Sequence, residues 1–147
     1  MPYVVETSIG LDRMFLAVFS HSLQEEDLEN GTTRTVLKLP AVLAPTKAAI
    51  LPLVKKDGLP EVARKIVEDL KWDFNVDYDE KDAVGRRYRR QDAAGTPFCI
   101  TVDHETLNDD TVTIRYRDTM EQQRVKILEL KDLIKQEVDV KHWLMKM

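Results

Sequence analysis

Residues 86–90, which read RRYRR, place four guanidinium groups around one aromatic ring near the middle of the chain. If this stretch is helical, Arg86, Arg89 and Arg90 fall on one face, because they are spaced i, i+3 and i+4. Guanidinium groups in such an array can neutralise phosphates or donate hydrogen bonds to base edges. The alternative interpretation is a solvated helix surface that binds no ligand.

A second basic surface is predicted further along the chain. Residues 111–117 and 124–127 alternate apolar with polar side chains, which predicts a β-hairpin with one apolar face. The opposite face carries Arg115, Arg117, Arg124 and Lys126. Like charges across two strands cost stability unless an anionic partner or nearby carboxylates compensate for them. We therefore prefer this hairpin face as the surface for an anionic partner, and a charged, solvated sheet face is the alternative.

The N-terminal segment has the features of a site for a small anionic ligand. Residues 3–5 (YVV) predict a short strand, and residues 11–19 predict a helix that is apolar on nearly all sides. The polar turn ETSIG joins them. Backbone amides at the start of a helix, with Arg13 nearby, can hold an anion. From spacing alone, however, a buried core helix is the favoured interpretation.

Other chemistries lack the residues that they need. The histidines, at positions 21, 104 and 142, are far apart and share no ligand spacing with Cys99, so no metal site is expected. Cys99 lies in an apolar segment and is predicted to be buried. No serine, histidine or cysteine stands in the context of a nucleophile with its base, and no catalytic residue is assigned.

The composition limits the kinds of partner. A net charge of −4 over 147 residues argues against binding nucleic acid through bulk electrostatics, so any RNA contact must be local. No apolar run approaches the roughly 18 residues needed to span a bilayer, and the N-terminus lacks the features of a signal peptide. We expect a soluble, cytoplasmic protein with no membrane partner.

An α/β fold must position the basic residues. Strands are predicted at 48–51, 74–78 and 98–102 and in the hairpin, and helices at 59–70, 84–94 and 130–138. Gly95 supplies a left-handed cap for the second helix, and Pro97 prevents its continuation. The order β-α-β-α-β-β-β-α predicts a five-stranded mixed sheet flanked by three helices.

The chain divides into three parts. Residues 1–22 contain the predicted strand and apolar helix. Residues 23–35 are polar and acidic, so they are interpreted as a linker or as an extended helix end followed by a turn. Residues 36–147 contain the α/β domain. The tail 141–147 is left without an assignment.

Three stretches resemble class II glycyl-tRNA synthetases. GRRYRRQDAAGTPFCITVD (85–103) resembles the signature of the anticodon-binding domain of that family, and PYVVETSIGLDR (2–13) is similar to its motif 3. Residues 37–56 (LKLPAVLAPTKAAILPLVKK) resemble the entry into the anticodon-binding domain. The resemblance covers most of the chain, and the fold that it implies agrees with the α/β domain predicted above.

The resemblance also implies roles for particular residues. In that family the residues matching Glu6 and Ser8 hold glycine, Gly10 lets the substrate approach the backbone, and Arg13 with Gly10 contacts ATP, which acts with Mg2+. The implied RNA partner is the anticodon arm of tRNA-Gly. The implied function is support of ATP-dependent glycyl-tRNA formation, by an enzyme that is a homodimer at full length.

Motifs 1 and 2 of the family, which supply the dimer interface and another ATP-binding arginine, have no counterpart in this sequence. The chain therefore resembles the C-terminal portion of a glycyl-tRNA synthetase, expected to be inactive by itself and to hold no bound cofactor. The alternative is a stand-alone anticodon-type RNA-binding or accessory module without ligase activity.

Overall fold

A computed structural model describes residues 3–28 and 31–145. Parts of the predicted segments, at positions 1, 2, 29, 30, 146 and 147, lie outside the described residues. The strands are β1 (Leu23–Asp27), β2 (Thr33–Leu37), β3 (Ala48–Pro52), β4 (Val76–Tyr78), β5 (Phe98–Val102), β6 (Thr111–Tyr116) and β7 (Gln122–Lys126). The helices are α1 (Leu11–Ser22), α2 (Leu59–Leu70), α3 (Val84–Ala94), the one-turn α4 (Thr106–Asp109), α5 (Leu130–Val138) and α6 (Val140–Met145).

The predicted mixed sheet is confirmed. Its strand order is β4-β3-β5-β6-β7, in which β3 runs parallel to β4 and β5 and the last three strands are antiparallel. Alternate residues of each strand face opposite sides. One side packs against α2 and α5 in the main core, which includes Ile50, Ile100 and Ile114. The other side packs Cys99 and its neighbours against Tyr88 of α3.

The predicted bounds of α3, residues 84–94, are confirmed at both ends. Gly95 adopts φ 81°, the left-handed cap that the sequence predicted. A side chain there would also place Cβ 3.1 Å from the carbonyl oxygen of Leu37, so glycine is needed for the close approach of β2. The helix is preceded by Ala83, and Gly85 lies inside the first turn rather than before it.

The N-terminal prediction is partly wrong. No strand forms at residues 3–5, and the whole segment 3–10 lacks regular structure and is exposed. Helix α1 forms as predicted, but it is exposed rather than buried, with Phe15 67% accessible. Its apolar side faces the segment around Leu39, Leu43 and Pro45 across a groove of about 300 Å³.

The predicted linker is not an unstructured connection. Strands β1 and β2 form an antiparallel pair, in register from Leu23 opposite Leu37 to Asp27 opposite Thr33. The inward side chains of β2 are Arg34 and Val36, both buried. Because one of these two is charged, the strand does not show the alternation of apolar and polar residues by which a strand is normally predicted.

Among the described residues, no helix is long and apolar enough to cross a membrane. The tail left unassigned from the sequence contains α6.

Candidate nucleic-acid interface

The prediction that Arg115 lies on a solvated basic face of the hairpin is wrong. Its side chain is 6% exposed and donates two hydrogen bonds to Asp92 of α3, Nη1 to Oδ1 at 2.8 Å and Nη2 to Oδ2 at 3.1 Å. The Tyr88 ring covers the guanidinium at 4.8 Å, and the Tyr88 hydroxyl is hydrogen-bonded to Thr101. Arg115 therefore holds the hairpin against α3.

Arg117 is also buried, at 2% exposure. It donates to the carbonyl oxygens of Gly95 and Leu39 at 2.8 and 2.7 Å, and to both carboxylate oxygens of Asp118. The expectation that Arg117 points to solvent is therefore wrong. Its guanidinium instead joins the end of β6 to the end of α3 and to the segment that follows β2.

Arg124 and Lys126 are more exposed than Arg115 and Arg117. Arg124 is partly exposed, but it forms a bidentate pair with Asp103 and lies within 4 Å of Glu105 and Asp109. Partial burial of Asp103 opposes its ionisation, yet hydrogen bonds from Arg124 and Thr106 lower the pKa of this carboxyl below its ordinary value. Lys126 is exposed and has no ion pair within the described residues.

The arginine face of α3 is exposed as predicted, but its three arginines differ in how far they are engaged in contacts within the protein. Arg90 is paired with Asp79 and Asp82, at 2.7 and 2.8 Å. Arg89 donates to the carbonyl oxygen of Thr33 and so bridges to β2. The Arg86 side chain forms no ion pair or hydrogen bond in residues 3–28 and 31–145, which leaves its charge available to a ligand.

Arg87, the remaining arginine of the stretch, is buried at 2% exposure and serves the fold. It donates to the carbonyl oxygens of Pro52, Leu53 and Asp79, where β3 and β4 end. Its Nε has no partner within the described residues. Arg87 thus fixes the two loops that follow the parallel strands.

The two basic surfaces that the sequence predicted separately lie on one side of the sheet. The contacts of Arg115 with Asp92 and of Tyr88 with Thr101 place α3 on the face that carries Thr113 and Arg124. Lys126 pairs in register with Thr111, next to the end of β5, and the start of α3 follows the end of β4, which is parallel to β5's neighbour β3. The exposed cations Arg86 and Lys126 therefore lie toward the same end of the strands, on the side of the sheet that carries α3.

Aromatic side chains do not provide an exposed stacking platform on β4. Tyr78 and Phe74 both pack against the main core. The Tyr78 hydroxyl donates a hydrogen bond to Glu80. Burial raises the pKa of Tyr78 to about 12, with the neighbouring carboxylate adding to the effect. Both rings therefore serve core packing.

The predicted glycine and ATP residues lie in the exposed N-terminal segment. Ser8, Gly10 and Arg13 line a shallow depression of about 660 Å³ at the start of α1, and Glu6 is not among its lining residues. Gly10 precedes the helix, and its carbonyl oxygen accepts from the amide of Met14. The arrangement brings three of the four residues together, and Glu6 lies two residues before this depression.

Sequence reasoning did not find the residue that organises the basic side chains, Asp92. It is 1% exposed and contacts Arg34 as well as Arg115. Its position offered one signal, since Asp92 lies four residues after Tyr88, and residues with this spacing share one face of a helix. A carboxylate on a packing face needs a buried cation, but the pairing of Asp92 with residues 58 and 23 positions away is not visible locally.

The described structure combines a mixed α/β sheet, helix α3 on one face of that sheet and exposed cations beside the helix. Residues 47–137 match the family described as anticodon binding domain, and the chain belongs to this family.

Similar proteins of known name indicate which aminoacyl-tRNA synthetases the chain resembles. The chain is similar to proteins named glycine-tRNA ligase, at 60% identity over 131 residues in Rhodopirellula baltica and 49% over 138 residues in Borrelia hermsii. These matches cover 86% and 94% of the chain, but 24% and 31% of the relatives. The chain thus spans between a quarter and a third of the length of these curated relatives.

Solved structures show the same fold at low sequence identity. The RNA-binding domain of threonyl-tRNA synthetase from Cryptosporidium parvum superposes with a TM-score of 0.62 at 22% identity, covering 68% of this chain and 25% of that one. Prolyl-tRNA synthetase from the same organism gives 0.64 at 18% identity, covering 83% and 32%. These likenesses support the anticodon-binding fold predicted from the sequence.

Proposed function

We propose that this chain binds the anticodon arm of tRNA-Gly as part of a glycine-tRNA ligase, which joins glycine to tRNA at the expense of ATP. The observation that carries the proposal is the 60% identity to a protein of that name over 86% of the chain. Such identity extends over both the anticodon-binding domain and much of the segment that precedes it. The chain would then contribute RNA binding to a reaction whose other parts lie elsewhere in a longer protein.

The RNA surface is proposed to be the open sheet face between α3 and β7. Arg86 and Lys126 would neutralise phosphates, because their charges are not used by the described part of the fold. Arg89 and Arg124 are partly committed to intramolecular contacts and would contribute less. Arg90, Arg115 and Arg117 would act indirectly, by holding the surface in shape.

The N-terminal segment is proposed to belong to the glycine and ATP site. Glu6 would pair with the ammonium group of glycine, Ser8 and Gly10 would border it, and Arg13 would neutralise ATP phosphate charge. All four lie in or beside the exposed segment before α1. Mg2+ would accompany ATP, and the longer enzyme would act as a cytoplasmic homodimer.

Fluorescence anisotropy with a labelled tRNA-Gly anticodon stem-loop tests the proposal. A matched stem-loop with the same stem and a different anticodon is the control, because phosphate contacts alone do not distinguish sequences. We expect tighter binding of the tRNA-Gly stem-loop. Equal binding of both would contradict the glycine-specific part, and no binding at low salt would contradict RNA recognition itself.

The catalytic part has its own test. The segment 3–10 is open to solvent, so the isolated chain should not support glycine-dependent exchange of pyrophosphate into ATP. Exchange above background by the purified chain would contradict the proposal that Glu6, Ser8 and Arg13 need further residues of a longer enzyme.

A further inference from the structure

Arg34 of β2 lies outside the residues that match the anticodon-binding family, yet it is 2% exposed. Its Nη1 donates to Oδ2 of Asp92 at 3.0 Å and to the carbonyl oxygen of Arg117 at 3.1 Å. Its Nε donates to Glu26 of β1 at 2.8 Å. A single side chain therefore connects both strands of the β1-β2 hairpin to the interior of the α/β domain.

The same hairpin is joined to α1 without a flexible connection. Helix α1 ends at Ser22 and β1 begins at Leu23. Ser22 is buried, and its carbonyl oxygen accepts from the amide of Lys38 at 2.7 Å, just after β2. On the domain side, Gly95 lets the backbone of Leu37 pack directly on the end of α3. Movement of α1 against the domain would have to break these contacts.

We propose that Arg34 is a positioning residue that makes the β1-β2 hairpin a rigid joint between the N-terminal segment, residues 3–22, and the RNA-binding domain. The inference rests on the proposed function, because a ligase that reads the anticodon arm while it charges the same RNA must hold the two sites at a fixed separation. Arg34 sets that separation through Asp92 and the carbonyl oxygen of Arg117, without contacting either ligand.

The removal of Arg34 should loosen the joint and leave the domain folded. Asp92 keeps its two hydrogen bonds from Arg115, so it does not become an unpaired buried charge. Glu26 keeps its ion pair with Lys38. Lysine should not replace arginine here, since one ammonium group cannot span Asp92, Glu26 and the Arg117 carbonyl together.

Pulsed electron paramagnetic resonance on the doubly spin-labelled chain tests this proposal. Labels at Asp12→Cys on α1 and Lys65→Cys on α2 occupy exposed positions, and Cys99→Ala removes the native thiol. We expect one narrow distance population with Arg34 present and a broad one in Arg34→Met and Arg34→Lys. Glu26 pairs with both Arg34 and Lys38, and Lys38 is the more exposed of these two cations. Lys38→Met is therefore the matched control, and its distance distribution should remain narrow.

Amide exchange of β3 and β5 is measured on the same variants, and their protection should be unchanged. A narrow, unshifted distribution in Arg34→Met would overturn the proposal, as would a distribution already broad with Arg34 present. Loss of β3 and β5 protection in Arg34→Met would assign Arg34 to the stability of the whole fold and would also overturn it. Binding of the tRNA-Gly stem-loop, recorded separately, reports on the proposed function, so the two can fail independently.

Discussion

Nη1 of Arg115 lies 2.8 Å from Oδ1 of Asp92, and this contact joins the β6-β7 hairpin to α3 in the interior of the protein. The guanidinium is covered on one side by the Tyr88 ring. A basic residue that looked like part of an RNA surface is therefore a structural one, and it brings the true candidate cations, Arg86 and Lys126, to the same side of the sheet.

The first prediction concerns Asp92. Replacement by asparagine leaves Arg115 buried without a counter-ion and removes one of the two carboxylates that pair with Arg34, and we expect the free energy of unfolding to fall by about 3–5 kcal/mol. Urea titration measures the change. Glu68→Gln, which removes the exposed pair with Lys71, is the control and should change stability by less than about 1 kcal/mol. A similar loss in both variants would show that burial of the Asp92 network is not the cause.

Arg117→Ala gives a second stability prediction. The alternation of residues in the hairpin alone predicted an exposed Arg117, whose removal would change stability little, whereas the structure predicts a loss of stability. Removal of the side chain leaves the buried carbonyl oxygen of Gly95 without its donor, at a cost of about 1–3 kcal/mol, and also removes the donor to the partly buried carbonyl oxygen of Leu39. Thermal unfolding should show a clear destabilisation, whereas Lys126→Ala should unfold at the same temperature as the unaltered chain. An unaltered melting temperature for Arg117→Ala would contradict the burial of this arginine.

The pair of Asp103 with Arg124 predicts a pH dependence. The pKa of Asp103 is lowered in the folded chain, so its stabilisation is present above the unfolded pKa of about 3.9 and is lost as the pH falls through the lower folded value. The difference in unfolding free energy between the unaltered chain and Asp103→Asn should be about 1 kcal/mol near neutral pH and should shrink below about pH 4. A difference that stays constant down to pH 2 would refute this account.

The single thiol provides a fourth prediction. Burial raises the pKa of Cys99 to about 12, so the folded chain holds it as the unreactive thiol at pH 8. Alkylation by iodoacetamide should be slow in buffer and fast in denaturant, where the pKa returns toward about 8.5. Because the folded pKa lies above the unfolded one, the related stabilisation is complete below the unfolded pKa and is lost as the pH rises toward the folded value. Fast alkylation under native conditions, with no unfolding detected, would contradict burial.

The sequence predicted the sheet well where local signals were strong. Gly95 and Pro97 mark the boundary between α3 and β5, and all five residues of β5 are buried. The alternation in β6 and β7 gave the correct hairpin and the correct apolar face, since Val112 and Ile114 are in the core. These features depend on neighbouring residues, which is why they could be found without a structure.

Burial of the arginines could not be predicted in the same way. The composition of β2 is polar, and Arg34 becomes an inward residue only because Asp92 lies opposite it, 58 positions later. The exposure of Arg86 and the burial of Arg87 likewise depend on the carbonyl groups at the end of β3, which no local pattern marks. Sequence reasoning therefore located the basic elements but misjudged which cations remain available to a ligand.

The central claim is that the exposed cations on the side of the sheet that carries α3 bind RNA phosphates, and a salt series on one double variant tests it most directly. Affinity for the tRNA-Gly anticodon stem-loop is measured for Arg86→Ala with Lys126→Ala, and for Lys65→Ala with Lys135→Ala. The second pair removes the same charge from the opposite side of the sheet, on α2 and α5. We predict weaker binding for the first pair and a slope of log affinity against log salt reduced by about one unit for each lost phosphate contact, with the second pair close to the unaltered chain. Equal slopes and affinities for both pairs would contradict the claim.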